Sequence, residues 1–270
     1  METKYDIPDL PDQTVPDPST FDGIVVNGVS KAFGDKKVLT ETNLLVKKGE
    51  TLVIIGRSGE GKSVLLKHIV RLLEPDCGQI WVEGQEISKL EMNDLMELRK
   101  KFGFLFQGAA LFDSMNIGQN VGLMLQEHTD WTQKRIDDRA CECLAMVGLE
   151  GAADKLPSEL SGGMKKRAGL ARAIVMEPEY ILYDEPTTGL DPITGDAIND
   201  LIIKLQEELG VTSVAVTHDM PSAFKIAHRM AMLSRGNIVY SGTVEEIHQT
   251  DHPMVRQFIK GSSHGPLGAF

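Results

Sequence analysis

The sequence predicts an α/β fold in which buried parallel strands alternate with helices. Three short apolar runs, at residues 51–55, 180–184 and 211–216, have the composition of strands that are covered on both faces. Residues 64–73 follow the first run with apolar side chains at helical spacing, and residues 193–208 follow the second as a predicted helix. This alternation favours a sheet with helices on its faces.

Composition and charge exclude several classes of protein. A chain of 270 residues, 41% hydrophobic and 25% charged, suffices for one large domain or two intimate subdomains. Its formal net charge of −11 argues against nucleic acid as a partner. The three cysteines, Cys77, Cys141 and Cys143, indicate a reducing compartment, and no second ligand pair lies at zinc spacing.

The first 20 residues are predicted to form a flexible arm, with a partner-binding segment as the alternative. They hold four prolines and four aspartates and little that could be buried. They lack the basic and apolar regions of a secretory signal, and no apolar run approaches the roughly 18 residues that span a bilayer. Any work at a membrane is therefore expected from the cytoplasmic side, through another polypeptide.

Residues 56–63 fit the phosphate-binding pattern G-x-x-x-x-G-K-[ST], between a predicted strand and a predicted helix. Glycines let such a loop curl so that its N–H groups face phosphate oxygens, and the helix start adds partial positive charge. Lys62 would reach the β- and γ-phosphates, and the Ser63 hydroxyl would bind Mg²⁺. The loop consists of Gly56, Arg57, Ser58, Gly59, Glu60, Gly61, Lys62 and Ser63.

Short strands at residues 24–26, 38–39 and 44–46 precede this loop. Phe33 lies between the first two of them, just before a Gly-Asp turn. Its ring could stack on an adenine base or pack in the core, and periodicity leaves both open.

After the loop, residues 79–82 and 102–106 are predicted strands, and residues 93–101 are a predicted helix. Gln107 follows the second of these strands. A glutamine at such a strand end can bind a metal, orient a water or simply cap the chain.

Residues 108–168 form a mostly helical block, including one amphipathic helix over residues 131–147. Residues 161–163, Ser-Gly-Gly, directly precede another helix over residues 165–175. They form either a second anion-binding corner or an ordinary serine N-cap with flexible glycines.

Two carboxylates follow the buried strand 180–184. Asp184 ends the strand and Glu185 lies one residue beyond it, at the edge where open α/β sheets bind ligands. Asp184 suits the Mg²⁺ shell, directly or through water, and Glu185 could hold a water near the γ-phosphate as general base. Buried paired acids are costly unless a metal accompanies them.

The strand 211–216 is followed closely by His218, which is either a hydrogen-bonded structural residue or a contact to the γ-phosphate. Two more strands, residues 230–233 and 237–240, pair around a turn. Two short helices and a loose tail over residues 261–270 complete the chain.

Together these motifs resemble the ATPase subunit of ABC transporters. Residues 56–63 resemble the Walker A loop and residues 180–184 the Walker B strand, which makes Glu185 the catalytic glutamate. Residues 160–164 are similar to the family signature, with Met164 where glutamine is usual.

The resemblance implies further site residues. Gln107 falls in the Q-loop, Asp191 in the D-loop, and His218 at the switch histidine. Phe33 falls at the adenine-stacking position. Val64 stands where many members have threonine, which leaves only its backbone N–H for phosphate.

The implied fold is a P-loop NTPase (RecA-like) core with an antiparallel β-subdomain and an α-helical ABC signature subdomain over about residues 108–168. The ABC ATPase domain would span residues 21–260, between the arm 1–20 and a C-terminal tail 261–270. Glu60 places an acid inside the nucleotide loop, which a triphosphate tolerates best if the acid points to solvent.

The resemblance also implies ATP and Mg²⁺ as cofactors and a homodimer packed head to tail. ATP would lie between the nucleotide loop of one subunit and the signature of the other. The implied metal ligands are Ser63, Gln107 and Asp184, and the implied signature contacts are Ser161, Gly162 and Gly163.

An integral membrane permease would dock near residues 107–125, where Leu111, Phe112 and Met115 are candidate contacts. This would place the ATPase peripherally on the cytoplasmic face of the inner membrane.

Within the family, the chain most resembles the Mla/Mce lipid-transport ATPases. This implies transport of phospholipids or related hydrophobic molecules across the bacterial envelope, with an Mce-type lipid-binding protein in the complex. The segments that carry the similarity are residues 61–68, 110–116, 126–129, 157–164 and 255–258.

Three other functions are weighed against this one. The main alternative is an ABC importer ATPase for a small polar solute. Non-transport members of the superfamily usually carry two ATPase domains, a zinc module or a coiled-coil insertion, none of which the sequence predicts. A non-enzymatic nucleotide sensor would need no general base such as Glu185.

Overall fold

The computed structural model describes residues 15–268. Residues 1–14 of the predicted arm and residues 269–270 of the tail lie outside this range. Residues 15–20 form neither helix nor strand. A turn there is held by the Asp17 carboxylate, which accepts hydrogen bonds from the amide and the hydroxyl of Ser19 at 3.0 and 2.7 Å.

The helices and strands confirm the predicted α/β class. In chain order they are β1 (Gly23–Phe33), β2 (Lys36–Lys47), β3 (Thr51–Ile55), α1 (Lys62–Ile69), β4 (Cys77–Val82), β5 (Gln85–Glu86), α2 (Met92–Lys100), β6 (Phe102–Leu105), α3 (Ile117–His128), α4 (Gln133–Met146), α5 (Gly162–Ile174), β7 (Tyr180–Asp184), α6 (Pro192–Leu209), β8 (Thr212–Thr217), α7 (Met220–Ile226), β9 (Arg229–Ser234), β10 (Asn237–Thr243), α8 (Val244–Gln249) and α9 (Pro253–Lys260).

The described residues divide into two units, of which the first comprises residues 15–89 and 217–268. In this unit β1, β2, β4 and β5 form an antiparallel sheet of order β2-β1-β4-β5. Strand β9 pairs in parallel with β3 and antiparallel with β10. The predicted hairpin of two strands near residues 230–240 is thereby confirmed.

The short strands predicted before the nucleotide loop were wrong in length. They are parts of β1 and β2, which run for 11 and 12 residues. Polar residues between the apolar stretches still pair across the antiparallel ladder, with register shifts that begin between Val26 and Val29. Irregular pairing of this kind obscures the alternation on which a strand prediction depends.

The second unit, residues 90–216, contains the parallel strands β6, β7 and β8. Tyr180 of β7 lies opposite Phe102 of β6 and Thr212 of β8. Every residue of β7 and β8 is buried, as expected for strands covered on both faces. Because parallel strands end at the same edge, this arrangement brings Gln107 and Asp184 to the ends of neighbouring strands.

The predicted helical block over residues 108–168 consists of α3, α4 and the start of α5. The apolar loop before α3 is organised by Asn120, which is fully buried. Its amide group donates to the carbonyls of Phe112, Met115 and Asn116, each at 3.0 Å. Its Oδ1 accepts from the Phe112 amide at 2.7 Å. One side chain therefore bonds to three residues of a loop without secondary structure.

One helix was absent from the sequence prediction. Helix α7 has seven residues, and it begins where the Asp219 carboxylate accepts from the Ser222 amide at 3.1 Å. Among residues 15–268, no helix combines the length and the apolar character that crossing a membrane requires.

Candidate active site

The nucleotide loop between β3 and α1 needs glycine at two positions. At Gly56 (φ 155°) an added Cβ would lie 2.3 Å from the carbonyl oxygen of Leu233. At Gly61 (φ 103°) it would lie 2.8 Å from a methyl carbon of Val38. The buried Lys62 ammonium donates to the Gly56 carbonyl at 2.9 Å. Lys62 is thereby directed back across the loop that it follows.

This loop fits a phosphate group. Among the described residues, no side chain caps the start of α1, and the first N–H groups of a helix favour an anion. At Gly59 (φ 80°) an added Cβ would have no described atom within 4 Å, which marks the open side of the loop. Helix-start donors, a lysine and open space together suit the phosphates of a nucleotide.

Glu60, the acid inside the loop, does not simply face solvent. It is half-buried, and its carboxylate accepts a hydrogen bond from the Arg235 amide, in the β9–β10 turn, at 2.5 Å. The hairpin turn therefore accommodates the acid. Val64 lies in the first turn of α1 with a half-buried side chain.

His218 lines a cavity of about 570 Å³ in the first unit. Arg57 and Ser58 of the nucleotide loop share this cavity, together with α9 and the tail that follows it. The histidine and the nucleotide loop therefore border one space.

The tail was expected to be loose, and over its described part it is not. Buried Gln257 of α9 donates to the Ser262 carbonyl at 3.0 Å and accepts from the Leu267 amide at 2.8 Å. The Arg57 guanidinium donates to the Leu267 carbonyl at 2.7 Å. Sequence reasoning missed these contacts because the glycines and serines of the tail indicated flexibility. The residues that supply their hydrogen-bond partners, Gln257 and Arg57, are not evident from the tail itself.

Phe33 is not a core residue. Its side chain is 48% exposed, and the Lys31 ammonium lies 5.6 Å from the ring centroid. An exposed ring at the end of β1 remains available for stacking, whereas the core interpretation is excluded.

In the second unit, Asp184 and Glu185 are buried at the end of β7. Glu185 has a left-handed backbone, with φ 50°, which is uncommon for a residue with a side chain. Its amide donates to the Val216 carbonyl at 3.0 Å, and its carboxylate accepts from the Thr188 hydroxyl at 2.9 Å. Sequence reasoning missed this contact of Thr188 with the predicted general base.

Lys166 of α5 is a second missed residue. Its buried ammonium donates to the carbonyl oxygens of Gln107 at 2.5 Å and of Glu185 at 3.0 Å. Burial lowers the pKa of Lys166, and the Asp184 and Glu185 carboxylates act in the opposite direction. One signal could have identified it: Lys166 falls on the buried face of α5, with Gly163 and Leu170, where a charge is unusual.

Arg172 forms hydrogen bonds to the segment that follows Gln107. Its guanidinium donates to the carbonyls of Ala109 and Ala110 at 2.6 and 2.7 Å. Both alanines have positive φ, 60° and 49°. Because Arg172 and Lys166 lie on the same helix, α5 holds the whole segment from residue 107 to residue 110.

Ser161 is the N-cap of α5, and its hydroxyl accepts a hydrogen bond from the Met164 amide at 3.3 Å. Ser161 and Gly162 are exposed, and Gly163 is buried. An added Cβ at Gly163 would lie 2.5 Å from a methyl carbon of Thr194. The glycine at 163 is thus required by packing, and the exposed pair before it can meet a ligand or a partner.

Asp191 caps α6. Its carboxylate accepts from the amides of Ile193 and Thr194 at 3.1 and 3.0 Å and from the Thr194 hydroxyl at 2.6 Å. The Thr194 hydroxyl is the main cause that lowers the pKa of Asp191.

The predicted site residues fall into two sets, one in each unit. The first unit holds Phe33, residues 56–64 and His218. The second holds Gln107, Ser161, Gly162, Gly163, Asp184, Glu185 and Asp191.

Comparison with known proteins agrees with these features. The family model described as ABC transporter matches residues 39–188, more than half of the chain. The intermembrane phospholipid transport system ATP-binding protein MlaF of Haemophilus influenzae is 42% identical over 244 residues, which cover 90% of this chain and 92% of that protein. The probable ribonucleotide transport ATP-binding protein mkl of Mycobacterium tuberculosis is 43% identical over 245 residues, which cover 91% of this chain and 68% of that protein.

A solved structure extends the agreement to the fold. The ATP-binding cassette MJ0796, described as dimeric and bound to ADP and Pi in a post-hydrolysis state, superposes with a TM-score of 0.76 at 34% identity. The match covers 82% of this chain and 98% of that one. With the family model and relatives above 40% identity over most of its length, the chain belongs to the ABC transporter family, as an ATPase that binds and hydrolyses ATP.

Proposed function

We propose that this ATPase drives the transport of phospholipids or related hydrophobic molecules across the bacterial envelope, through a separate membrane permease. The assignment of the cargo rests on one observation. The chain is 42% identical, over nearly the whole of both chains, to a protein named for intermembrane phospholipid transport. ATP hydrolysis supplies the driving force.

Each catalytic residue has a role that its own surroundings support. Lys62, directed across its loop, would neutralise charge on the β- and γ-phosphates. Glu185, fixed by Thr188, would accept the proton of the water that attacks the γ-phosphorus. Gln107 and His218 would orient the groups around the γ-phosphate, and Phe33 would stack on adenine.

The remaining contacts to the nucleotide come from its loop and its metal. Arg57, Ser58, Glu60, Val64 and the loop glycines would contribute mainly backbone N–H groups to the phosphates. Ser63, Gln107 and Asp184 would supply oxygen ligands to Mg²⁺, which prefers oxygen and keeps phosphate and water ligands in such sites.

We infer that two copies of the chain act together. Two solved structures of a similar ATP-binding cassette, each with a TM-score of 0.76, are described as dimeric. The exposed start of α5 at Ser161 and Gly162 would contact ATP held by the other copy, because a helix N-terminus favours an anion. Asp191 lies in the loop that would face this contact.

The permease would dock on the second unit. A hollow of about 400 Å³ there is lined mainly by apolar side chains, among them Phe104, Phe106, Phe112 and Leu123. Phe112 is 51% exposed, as a contact to a partner would require, whereas Leu111 and Met115 are half-buried. Docking to a permease, with an Mce-type lipid-binding protein in the complex, would hold the ATPase at the cytoplasmic face of the inner membrane.

Purification of the tagged chain from its native membranes tests the cargo. We expect a permease, an Mce-type lipid-binding protein and phospholipid to be identified together by mass spectrometry. Co-purification with a soluble binding protein for a polar solute, and without lipid, would contradict the proposal.

One observation favours a polar cargo: the Mycobacterium tuberculosis relative is named for probable ribonucleotide transport. The purified complex, reconstituted in liposomes, separates the two. Stimulation of ATP hydrolysis by added ribonucleotide, with no lipid moved between membranes, would favour the polar solute.

A further inference from the structure

We propose that Lys166 is a positioning residue for ATP hydrolysis, which holds the backbones of Glu185 and Gln107 in the geometry that the reaction needs. The proposal rests on the role of Glu185 as general base. Its basis is direct: one ammonium donates to the Gln107 carbonyl at 2.5 Å and to the Glu185 carbonyl at 3.0 Å. These carbonyls belong to segments that follow neighbouring strands, β6 and β7.

The burial of the Lys166 ammonium costs free energy, and the positioning of Glu185 and Gln107 would account for its presence there. The residue is 4% exposed, and a charge taken out of water loses hydration that carbonyl groups only partly replace. Buried charges contribute little net stability when they are compared with apolar side chains of similar size. Fixed geometry at Glu185 is a benefit that an apolar side chain could not provide.

Glu185 needs such a restraint. Its φ of 50° is sparsely populated by residues other than glycine, and such a backbone persists only where the surroundings determine it. The Glu185 amide is bonded to Val216 and the carboxylate to Thr188. Lys166 adds a bond at the carbonyl, so that all three polar groups of Glu185 are held.

Gln107 is restrained by the same helix. Lys166 bonds to its carbonyl, and Arg172 bonds to the carbonyls of Ala109 and Ala110, both of which have positive φ. Helix α5 begins at Ser161, the cap placed in the dimer contact. A shift of α5 would therefore be transmitted by Lys166 to the general base and to the loop after β6 at once.

The test is a kinetic comparison of Lys166→Met with the wild-type chain. We expect kcat to fall about 10- to 100-fold, because small displacements of a reacting group cost that much. KM and the affinity for ATP should stay within about 2-fold, because Lys166 bonds to the backbone and not to the nucleotide. Lys166→Arg should recover most of kcat, since a guanidinium can donate to two carbonyls. Lys165→Met, at the half-buried neighbour in the same turn, is the matched control and should hydrolyse ATP normally.

Three outcomes would overturn the proposal. An unchanged kcat in Lys166→Met would show that the bonds are dispensable. Equal losses in the methionine and arginine variants, or a loss of ATP affinity that accounts for the loss of rate, would indicate a general structural role. If Lys166→Met does not fold, Lys166→Gln, which keeps a donor, takes its place, and failure of both to fold would also mean a structural role.

Glu185→Gln, assayed in parallel, separates this inference from the proposed function. Normal hydrolysis by Glu185→Gln would show that the general base lies elsewhere, and the basis for Lys166 would fall with it. If Glu185→Gln is inactive and Lys166→Met is fully active, the positioning role of Lys166 is rejected and the role of Glu185 as general base stands.

Discussion

Two buried lysines show how residues of one type serve different ends. Lys62 donates to the Gly56 and Arg57 carbonyls within its own loop, at 2.9 and 3.2 Å, so its ammonium stays beside the residues that are predicted to bind phosphate. Lys166 donates to carbonyls that lie 59 and 19 residues away in the chain, and no nucleotide is needed to complete those bonds. The first lysine is placed to bind a ligand, and the second to hold the protein.

Replacement of Lys62 by alanine should remove nearly all ATP hydrolysis. Charge stabilisation by a single positioned donor is typically worth about 100-fold or more in rate, and Lys62 carries a full charge. A phosphate-release assay on the purified chain measures the effect. Lys67→Ala, at a half-buried lysine farther along α1, is the control and should retain activity. Wild-type turnover in Lys62→Ala would contradict the site assignment.

The three thiols should differ in reactivity. Burial raises the pKa of Cys143 to about 11, whereas Cys77 and Cys141 are exposed. A raised pKa means less thiolate, so at pH 8 about one Cys143 in 1,000 would be ionised. Iodoacetamide labelling followed by peptide mass spectrometry should therefore modify Cys77 and Cys141 first.

Cys143 should be modified only slowly in the folded chain, and at a normal rate once urea has unfolded it. Labelling of Cys143 as fast as Cys141 in the folded chain would show that the α4 face is not packed as described.

At the scale of elements, helix α5 and the hydrogen bonds of the Asn120 side chain, here called the Asn120 network, hold the backbone between β6 and α3. Ser161 caps the start of helix α5, and the Lys166 and Arg172 side chains of this helix bond to carbonyl groups of residues 107–110. Asn120 then fixes the adjoining loop that carries Phe112. A stretch without regular secondary structure thus acquires a defined shape, which a surface for a permease requires.

Replacement of Asn120 by leucine should destabilise this loop. The substitution removes the side-chain hydrogen bonds of a fully buried residue, among them those to the Phe112 amide and the Met115 carbonyl, and each buried group left without a partner costs about 1–3 kcal/mol. Thermal unfolding should show a clearly lower midpoint, and proteolysis should cut near Phe112 more readily. Gln126→Leu, at an exposed residue of α3, is the control. An unchanged midpoint would mean that the loop does not depend on Asn120.

At the scale of the whole molecule, two of the helix starts that the structure describes belong to the predicted nucleotide site. One is the start of α1, where no described side chain provides a cap, and the other is the exposed start of α5 at Ser161. The proposed dimer gives both a ligand, because each copy would bind ATP with one start and cover its partner's ATP with the other.

An arginine at Ser161 should block this pairing. In Glu185→Gln, which would bind ATP without hydrolysing it, size-exclusion chromatography with ATP is expected to show a dimer. Addition of Ser161→Arg should return the chain to a monomer, because the large side chain occupies the proposed contact. Glu150→Arg, which adds the same group at another exposed position, should leave the dimer intact. An ATP-dependent dimer that persists in Ser161→Arg would reject the head-to-tail arrangement.

The sequence alone determined the parts whose causes are local. Residues 56–63 predict their own conformation, because glycine spacing and the following helix are properties of adjacent residues. The apolar run of β7 was equally evident and is confirmed, and Ser161 is a helix cap, which was one of its two interpretations. The resemblance to one family followed from such motifs, and the comparisons confirm it.

Tertiary structure decided how those parts are held. Helical spacing could have placed Lys166, and not Lys165, on the buried face of α5, but its bonds to Glu185 and Gln107 depend on tertiary packing. The Asn120 network and the contact of Arg57 with Leu267 likewise join backbone groups to side chains across loops. A hydrogen bond between a side chain and a carbonyl far away in the sequence depends on which segments the fold brings together. No local sequence pattern specifies that.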